Sequence, residues 1–280
     1  MKLVKHLKNY WQISRPLNVF ITMVTIFVAA FISPHFQAGY KLYLAILIAG
    51  LMTAGANIIN DIYDIEIDRI NKPQRPLPSG RVKPKEAWLY FALSYLISLL
   101  LSVFCGLAMF LVALLIGLLL IVYSAKLKRT VLWGNLSVSL ATAVAFIYGA
   151  MSVGYWQAGI IPAVFAFLFH LGREIIKDMQ DLEGDLQHQS ITFPAKFGSR
   201  RAILLVNFIF ILLILLTFLP YILKLYNVVY LWVVILGVNP VLMFVCLFLW
   251  FKNDSITLGR LSHLLKLDML VGLLAIYLGS

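Results

Sequence analysis

Charge is scarce in this chain, cysteine nearly absent, and zinc-type histidine spacing missing, and each shortage closes off a class of protein. Only 12% of the 280 residues are charged, where a soluble domain carries about 25%. Ala87–Ala125 and Thr130–Gly172 contain no Asp, Glu, Lys or Arg at all. A soluble α-helical enzyme is excluded on that ground, a soluble prenyl-chain elongase with paired Asp motifs among them. The 2 cysteines, Cys105 and Cys246, lie far apart inside apolar stretches. They read as small packing residues and exclude a disulfide framework or a thiolate metal site. The 5 histidines never fall in an HxxxH or HExxH spacing, which argues against zinc hydrolysis. His170 precedes Glu174 and Asp178 at four-residue steps, and reads as a hydrogen-bonded helix histidine before a proton relay.

What remains is apolar: 62% hydrophobic residues and a mean hydropathy of +0.92. A helix crosses the hydrocarbon layer in about 20 residues, and irregular backbone cannot face lipid because its unpaired polar groups are too costly there. The apolar runs therefore predict an all-α, multi-pass membrane protein with about nine spans around a central cavity. These fall near 17–33, 42–62, 86–105, 108–124, 134–153, 158–178, 202–222, 226–251 and 262–279, in a single domain over 1–280. The opening MKLVKHLKNYWQISRP could pass for the basic end of a signal peptide. Residues 1–14 are read instead as a basic interfacial helix, with Lys2, Lys5 and Lys8 toward lipid headgroups.

Positive charge orients the chain. All but Lys41 and Lys224 of the 23 Lys and Arg fall on one side when the N-terminus is cytoplasmic, as the positive-inside bias requires. Topology in a cytoplasmic membrane thus accounts for the net charge of +11 without nucleic acid. The 12 acidic residues lie on that same side, and most form two clusters. One, over 57–68, carries Asn57, Asn60, Asp61, Asp64 and Asp68; the other, over 174–185, carries Glu174, Asp178, Asp181 and Asp185. Spacings of i, i+3 and i+7 put each Asp triplet on one helix face, and the second triplet repeats the first at a constant offset. The pattern reads as an internal repeat, and repeat interfaces are common binding sites in membrane folds.

Stacked carboxylates repel, so something positive must compensate them. A solvated ion-paired cluster is the plain alternative. Mg²⁺ suits the residues better, because it takes oxygen ligands and uses one or two carboxylates while bridging substrate phosphates. Lys72 and Arg75 in RINKPQRPLPSGR, and Lys126, Lys128 and Arg129 in YSAKLKRT, stand beside the acids as partners for a diphosphate leaving group. A transporter is a rival reading, but its acids would be expected near the membrane midplane.

At these residues the chain resembles the UbiA superfamily of intramembrane prenyltransferases. Its N-D-x-x-D-x-x-x-D signature stands at Asn60-Asp61, Asp64 and Asp68, followed by RPLPSG, and its second Asp-rich motif at Asp178, Asp181 and Asp185. YSAKLKR, the Tyr148–Gly149 pair and Arg15–Pro16 match further family regions. The resemblance covers essentially the whole chain. It implies a Mg²⁺-dependent enzyme that ionises a prenyl diphosphate and transfers the allylic cation to a nucleophilic acceptor. By motif position, Asp61, Asp64 and Asp68 would bind one Mg²⁺, with Asn57 and Asn60 beside the diphosphate. Asp178, Asp181 and Asp185 would bind a second Mg²⁺, and Asp181 could assist the acceptor. Arg15, Arg75 and Lys128 would contact substrate, and Tyr148 would stand by the cation. INDIYDIEIDRINKPQRPLPSGR, YSAKLKRTVLWGN and REIIKDMQDLEGD resemble the branch that adds a second geranylgeranyl chain to geranylgeranylglyceryl phosphate in ether-lipid synthesis. An aromatic acceptor such as 4-hydroxybenzoate or a naphthoate is the alternative.

Overall fold

The computed structural model describes residues 2–34, 36–187 and 190–280; the side chains of residues 2–7, including Lys2 and Lys5, and of residue 71 lie outside the described ones. Among the described residues the secondary structure is entirely helical. In chain order it runs α1 (Lys2–Ile13), α2 (Pro16–Phe31), α3 (Tyr40–Tyr63), α4 (Ile65–Asn71), α5 (Pro84–Val103), α6 (Leu107–Ala125), α7 (Trp133–Met151), α8 (Ile160–Gln180), α9 (Leu182–Gln187), α10 (Phe193–Phe197), α11 (Ser199–Thr217), α12 (Leu219–Ile222), α13 (Val228–Val233), α14 (Asn239–Phe251) and α15 (Ser255–Gly279).

Among the described residues eight helices are long and apolar enough to cross a membrane, and the shorter apolar α2 makes the ninth element of the bundle. At 16 residues α2 is about 24 Å long, short of the hydrocarbon thickness. It stops before Pro34, which disfavours helical backbone at the residue ahead of it. The last span starts earlier than the expected 262. Asp254 caps it, its side chain accepting from the Thr257 N–H at 3.0 Å, and the helix runs from Ser255 straight through Lys266 and Asp268. The eighth span is not a continuous α-helix. Val234–Val238 takes a π-helical turn between α13 and α14, ending one residue short of Pro240, which cannot donate to the preceding turn.

The helices close into a ring. α2 packs on α3, α7 and α15, α3 on α5 and α6, α7 on α8, and α8 on α11 and α15. Large apolar side chains point outward, with Leu107 73% and Leu236 72% exposed, the pattern of a lipid-facing surface. Where α2 meets α7 the backbones nearly touch. A Cβ on Gly149 would stand 2.5 Å from the Ile26 carbonyl oxygen and 2.9 Å from the Ala29 Cβ. Backbone cannot yield there as a flexible side chain could.

Gly149→Val is accordingly expected to destabilise the protein by about 1–3 kcal/mol, the usual cost of overpacking. Thermal unfolding in detergent measures it, and an unchanged midpoint would show that α2 and α7 are not so tightly apposed.

Candidate active site

The two acidic motifs share one backbone design. α3 ends at Tyr63 and α4 begins at Ile65, leaving Asp64 between them at φ −95° and ψ 4°. α8 ends at Gln180 and α9 begins at Leu182, leaving Asp181 at φ −93° and ψ 8°. This is the sparsely populated bridge region in which active-site residues are often found. Hydrogen bonding continues across both breaks. The Asp64 N–H donates to the Asn60 carbonyl at 3.0 Å and the Asp68 N–H to the Asp64 carbonyl at 2.7 Å. Asp181 does the same to Lys177 at 2.9 Å, and Asp185 to Asp181 at 3.0 Å. The triplets expected on unbroken helix faces thus bend at their middle acids.

Around the first motif three carboxylates meet three cations. Asp61, Asp64 and Asp68 are buried, at 3%, 5% and 3% exposure. Arg15 pairs with Asp61, Arg75 with Asp61 and Asp68, and Lys128 with Asp64. Each cation is delivered by a local constraint. Arg15 caps α2 in a left-handed conformation, φ 53° and ψ 71°, a strained state for a non-glycine residue. The Asn57 side-chain amide secures that elbow by donating to the Ser14 carbonyl at 2.9 Å. Arg75 sits on a loop anchored by buried Leu77 and Val82, which pack with Ile13 and Ile58. Lys128 lies in a 3-10 turn, Leu127–Arg129, that can approach α7 because residue 134 is glycine. A Cβ there would meet the Leu127 oxygen at 2.8 Å. Asn60 donates to Asp64 at 3.1 Å, while its own buried Oδ1 has no partner. Burial pushes the Asp68 carboxyl above its ordinary value, against the pull of Arg75.

Around the second motif the corresponding three acids, Asp178, Asp181 and Asp185, find one ion-pair partner among the described residues. Asp178 accepts from the Asn135 amide at 2.7 Å, Asp185 from the Thr192 hydroxyl at 3.0 Å, and Asp181 lies 3.6 Å from the Lys72 ammonium. Burial, with Asp181 adding repulsion, pushes the Asp185 carboxyl up to about 6. The halves are joined here. Lys72 follows the first motif and reaches the second, and Asp64 and Lys128 both act electrostatically on Asp185. This donor set fits Mg²⁺. It offers hard oxygens short of positive charge, the ligand type Mg²⁺ takes; among the described residues no three of these acids converge closely enough to enclose an ion.

Behind the motifs lies a cavity of 570 Å³, within the range of small-molecule sites. Arg15, Asn57, Asn60 and Arg75 line it on one side, and Arg173, Glu174 and Lys177 on the other. Its remaining wall is largely apolar, with Ile26, Met52, Phe146, Phe165 and Leu213 among its members. Of the predicted residues, Lys126 and Arg129 are exposed and form no ion pair among the described residues. Tyr148 is buried and lines the cavity, but not beside the acids. It stands 13 residues past Asn135 on α7, a rise of about 20 Å, packed with Ile26, Cys105 and Met109. Tyr123 is the tyrosine near both acidic motifs, lining the cavity within electrostatic range of Glu174, Asp178 and Asp64. Its signal was its place at the head of YSAKLKR. His170, expected to be hydrogen-bonded, instead leaves its buried Nδ1 without a partner.

A ring of membrane-length helices around an apolar chamber, with two acid-bearing breaks at one rim, defines an intramembrane enzyme for an anionic substrate with an apolar tail. Residues 19–260 match the UbiA prenyltransferase family, and the chain belongs to that family. The digeranylgeranylglyceryl phosphate synthase of Methanosphaera stadtmanae is 32% identical over 272 residues, covering 97% of this chain and 98% of that one. The enzyme of the same name from Korarchaeum cryptofilum is 37% identical, covering 96% of both. A solved structure concerned with digeranylgeranylglyceryl phosphate synthase in membranes aligns at a TM-score of 0.78 and 32% identity over 98% of both chains. A UbiA homolog from Archaeoglobus fulgidus, solved with GPP and Mg²⁺, has a similar fold at a TM-score of 0.69 and 21% identity, covering 96% of this chain and 99% of that one.

An Asp185 carboxyl held near 6 is a native-state group raised above its unfolded value. It stabilises the fold only while protonated, and that contribution fades as pH climbs from about 4 through about 6. Without divalent cations at pH 7.5, Asp185→Asn should therefore raise the melting midpoint by a few degrees. A lowered midpoint would mean that the carboxylate is stabilised there.

Proposed function

We propose that this protein transfers a geranylgeranyl group from its diphosphate to the free hydroxyl of geranylgeranylglyceryl phosphate, in ether-lipid synthesis. One observation carries the reading: two acid-bearing helix breaks of matching geometry, bridged by Lys72 and Asp181 at 3.6 Å, at the rim of an apolar cavity. Extended similarity to synthases with that activity in their names supports the acceptor. The concentration of Lys and Arg at the same end of the bundle supports a cytoplasmic mouth and N-terminus in the cell membrane.

In this reading Asp61, Asp64 and Asp68, with Asn60, would hold one Mg²⁺, and Asp178, Asp181 and Asp185 would hold another. When bound, Mg²⁺ supplies Lewis-acid neutralisation of the departing diphosphate. Arg75 and Lys128 exchange their carboxylate partners for diphosphate oxygens, which leaves the acids free for the ions. The apolar wall takes the prenyl chain and keeps water from an allylic cation that would otherwise be hydrolysed. Asn57 keeps Arg15 at the rim through Ser14, a positioning task more than a contact with substrate. Tyr123, nearer the acids than Tyr148, is the aromatic face available to the cation.

The test is an acceptor assay on the full chain in lipid nanodiscs with labelled geranylgeranyl diphosphate. Product should form with geranylgeranylglyceryl phosphate and not with 4-hydroxybenzoate or a naphthoate, and the opposite preference would reverse the assignment. EDTA should stop turnover and Mg²⁺ restore it. Asp64→Asn and Asp181→Asn should each lower kcat by about 10²–10³-fold, the scale of losing one preorganised electrostatic contact; full activity in either would exclude a two-motif site.

A further inference from the structure

The second side of the cavity mouth holds more positive charge than it neutralises. Arg173, Lys177 and Lys266 all line the cavity there, with Glu174 between the first two. Glu174 accepts from Lys177 at 2.7 and 3.0 Å and from Arg173 at 3.3 Å. Arg173 also donates through Nε to the Ser262 carbonyl at 3.2 Å, tying α8 to α15. Lys266, one turn further along α15, donates only to the neutral side chain of Asn18. Among the described residues it has no carboxylate within 4.0 Å.

Two residues beyond it stands Asp268, 3% exposed and lining the same cavity, with neither carboxylate oxygen hydrogen-bonded among the described residues. Among the described residues Lys266 and Asp268 form no ion pair with one another, although both line the cavity. A bare carboxyl inside a membrane protein is costly and marks a functional position. What would complete it is a ligand bearing an O–H, and what would complete Lys266 and Arg173 is an anion.

We infer that these residues form the pocket for the acceptor's head: Arg173 and Lys266 take its phosphate monoester, and Asp268 receives the proton of its free hydroxyl. This rests on the function proposed above, whose acceptor carries phosphate and hydroxyl on neighbouring carbons, so one molecule can meet both demands of α15. The bonds balance. The allylic C–O bond breaks with its electron pair leaving on diphosphate, the acceptor oxygen forms the ether bond to that carbon, and its proton passes to the Asp268 carboxylate. The first motif with Lys128 and Arg75 would then serve the donor, while α8 and α15 serve the acceptor.

The experiment is steady-state kinetics on the full chain in nanodiscs, varying donor and acceptor separately. Lys266→Met should raise the acceptor KM by about tenfold or more, the scale of a lost charge-assisted contact, and leave the donor KM near wild type. Lys266→Arg should restore it. With the dephosphorylated acceptor, geranylgeranylglycerol, wild type and Lys266→Met should become equal. Asp268→Asn should lower kcat by about 10²-fold, as for loss of a general base, with both KM values little changed, and Asp268→Glu should recover part of it. An unchanged acceptor KM in Lys266→Met, or full kcat in Asp268→Asn, overturns the pocket while the function stands. A wild-type protein that alkylates no glycerophosphate lipid overturns the function itself, and the pocket with it.

Discussion

Buried carboxylates at the edge of a hydrocarbon-lined chamber are the constraint on which the rest of this structure depends. Asp61, Asp64 and Asp68 are nearly inaccessible, and an ionised carboxylate taken from water without a partner is among the most costly groups a fold can carry. Each neighbouring oddity of the chain answers that demand. Arg15 accepts a left-handed backbone, the 72–83 loop sinks Leu77 and Val82 into the bundle, and the Lys128 turn lies against a glycine that has no side chain to obstruct it. Removing one cation from such a set leaves a buried charge exposed to its neighbours, so the set is best regarded as one unit.

The repeated backbone break makes the two halves comparable, and their difference is chemical. Matching φ and ψ at Asp64 and Asp181 give both motifs the same local bend, yet the first triplet is matched by cations and the second leans on Asn135, Thr192 and Lys72. A site with one neutralised and one electron-rich wall is polarised before anything binds. Positive groups that arrive with a ligand are drawn to the second wall, whereas the first must release Arg75 and Lys128 before it can hold a cation. In the proposed reaction those released cations would face the ligand's phosphates, and the exchange would strengthen both contacts.

Much of this was legible locally. Charge-free runs of membrane length marked the helices, and the i, i+3, i+7 spacing with its constant offset marked both acid motifs, because such patterns follow from helix geometry and from hydration alone. The remainder depends on which helices meet. Nothing in the chain order places Lys72 against Asp181, or Lys266 beside Asn18, since those pairings arise only when the ring closes α15 onto α2 and α8. The depth of Tyr148 in the cavity was hidden for the same reason. A motif gives a residue's neighbours along the helix but not its depth, and Tyr148 lies about 20 Å beyond Asn135 on that axis. The helix breaks at the middle acids were also invisible, because neither Pro nor Gly announces them.

Depth is also what divides labour inside the cavity. Polar side chains gather where α2 begins and α3 and α8 end, while the farther wall is built from Ile26, Met52, Phe146 and their neighbours. In the proposed function a diphosphate with a long apolar tail would lie with its head toward the acids and its tail along the apolar wall. Any acceptor would then approach the donor's reactive carbon from a side not already occupied by the donor's partners. α3 and the Lys128 turn occupy one side, and α8 with α15 supplies the other, where Arg173 and Glu174 stand at the rim and Asp268 waits deeper in the wall. In the inferred arrangement an oxygen nucleophile between the departing diphosphate and that carboxyl would have the groups that serve donor and acceptor on separate helices. The ring holds those helices in register, so the rigidity imposed by close contacts such as Gly149 on Ile26 is part of how the site is kept in order.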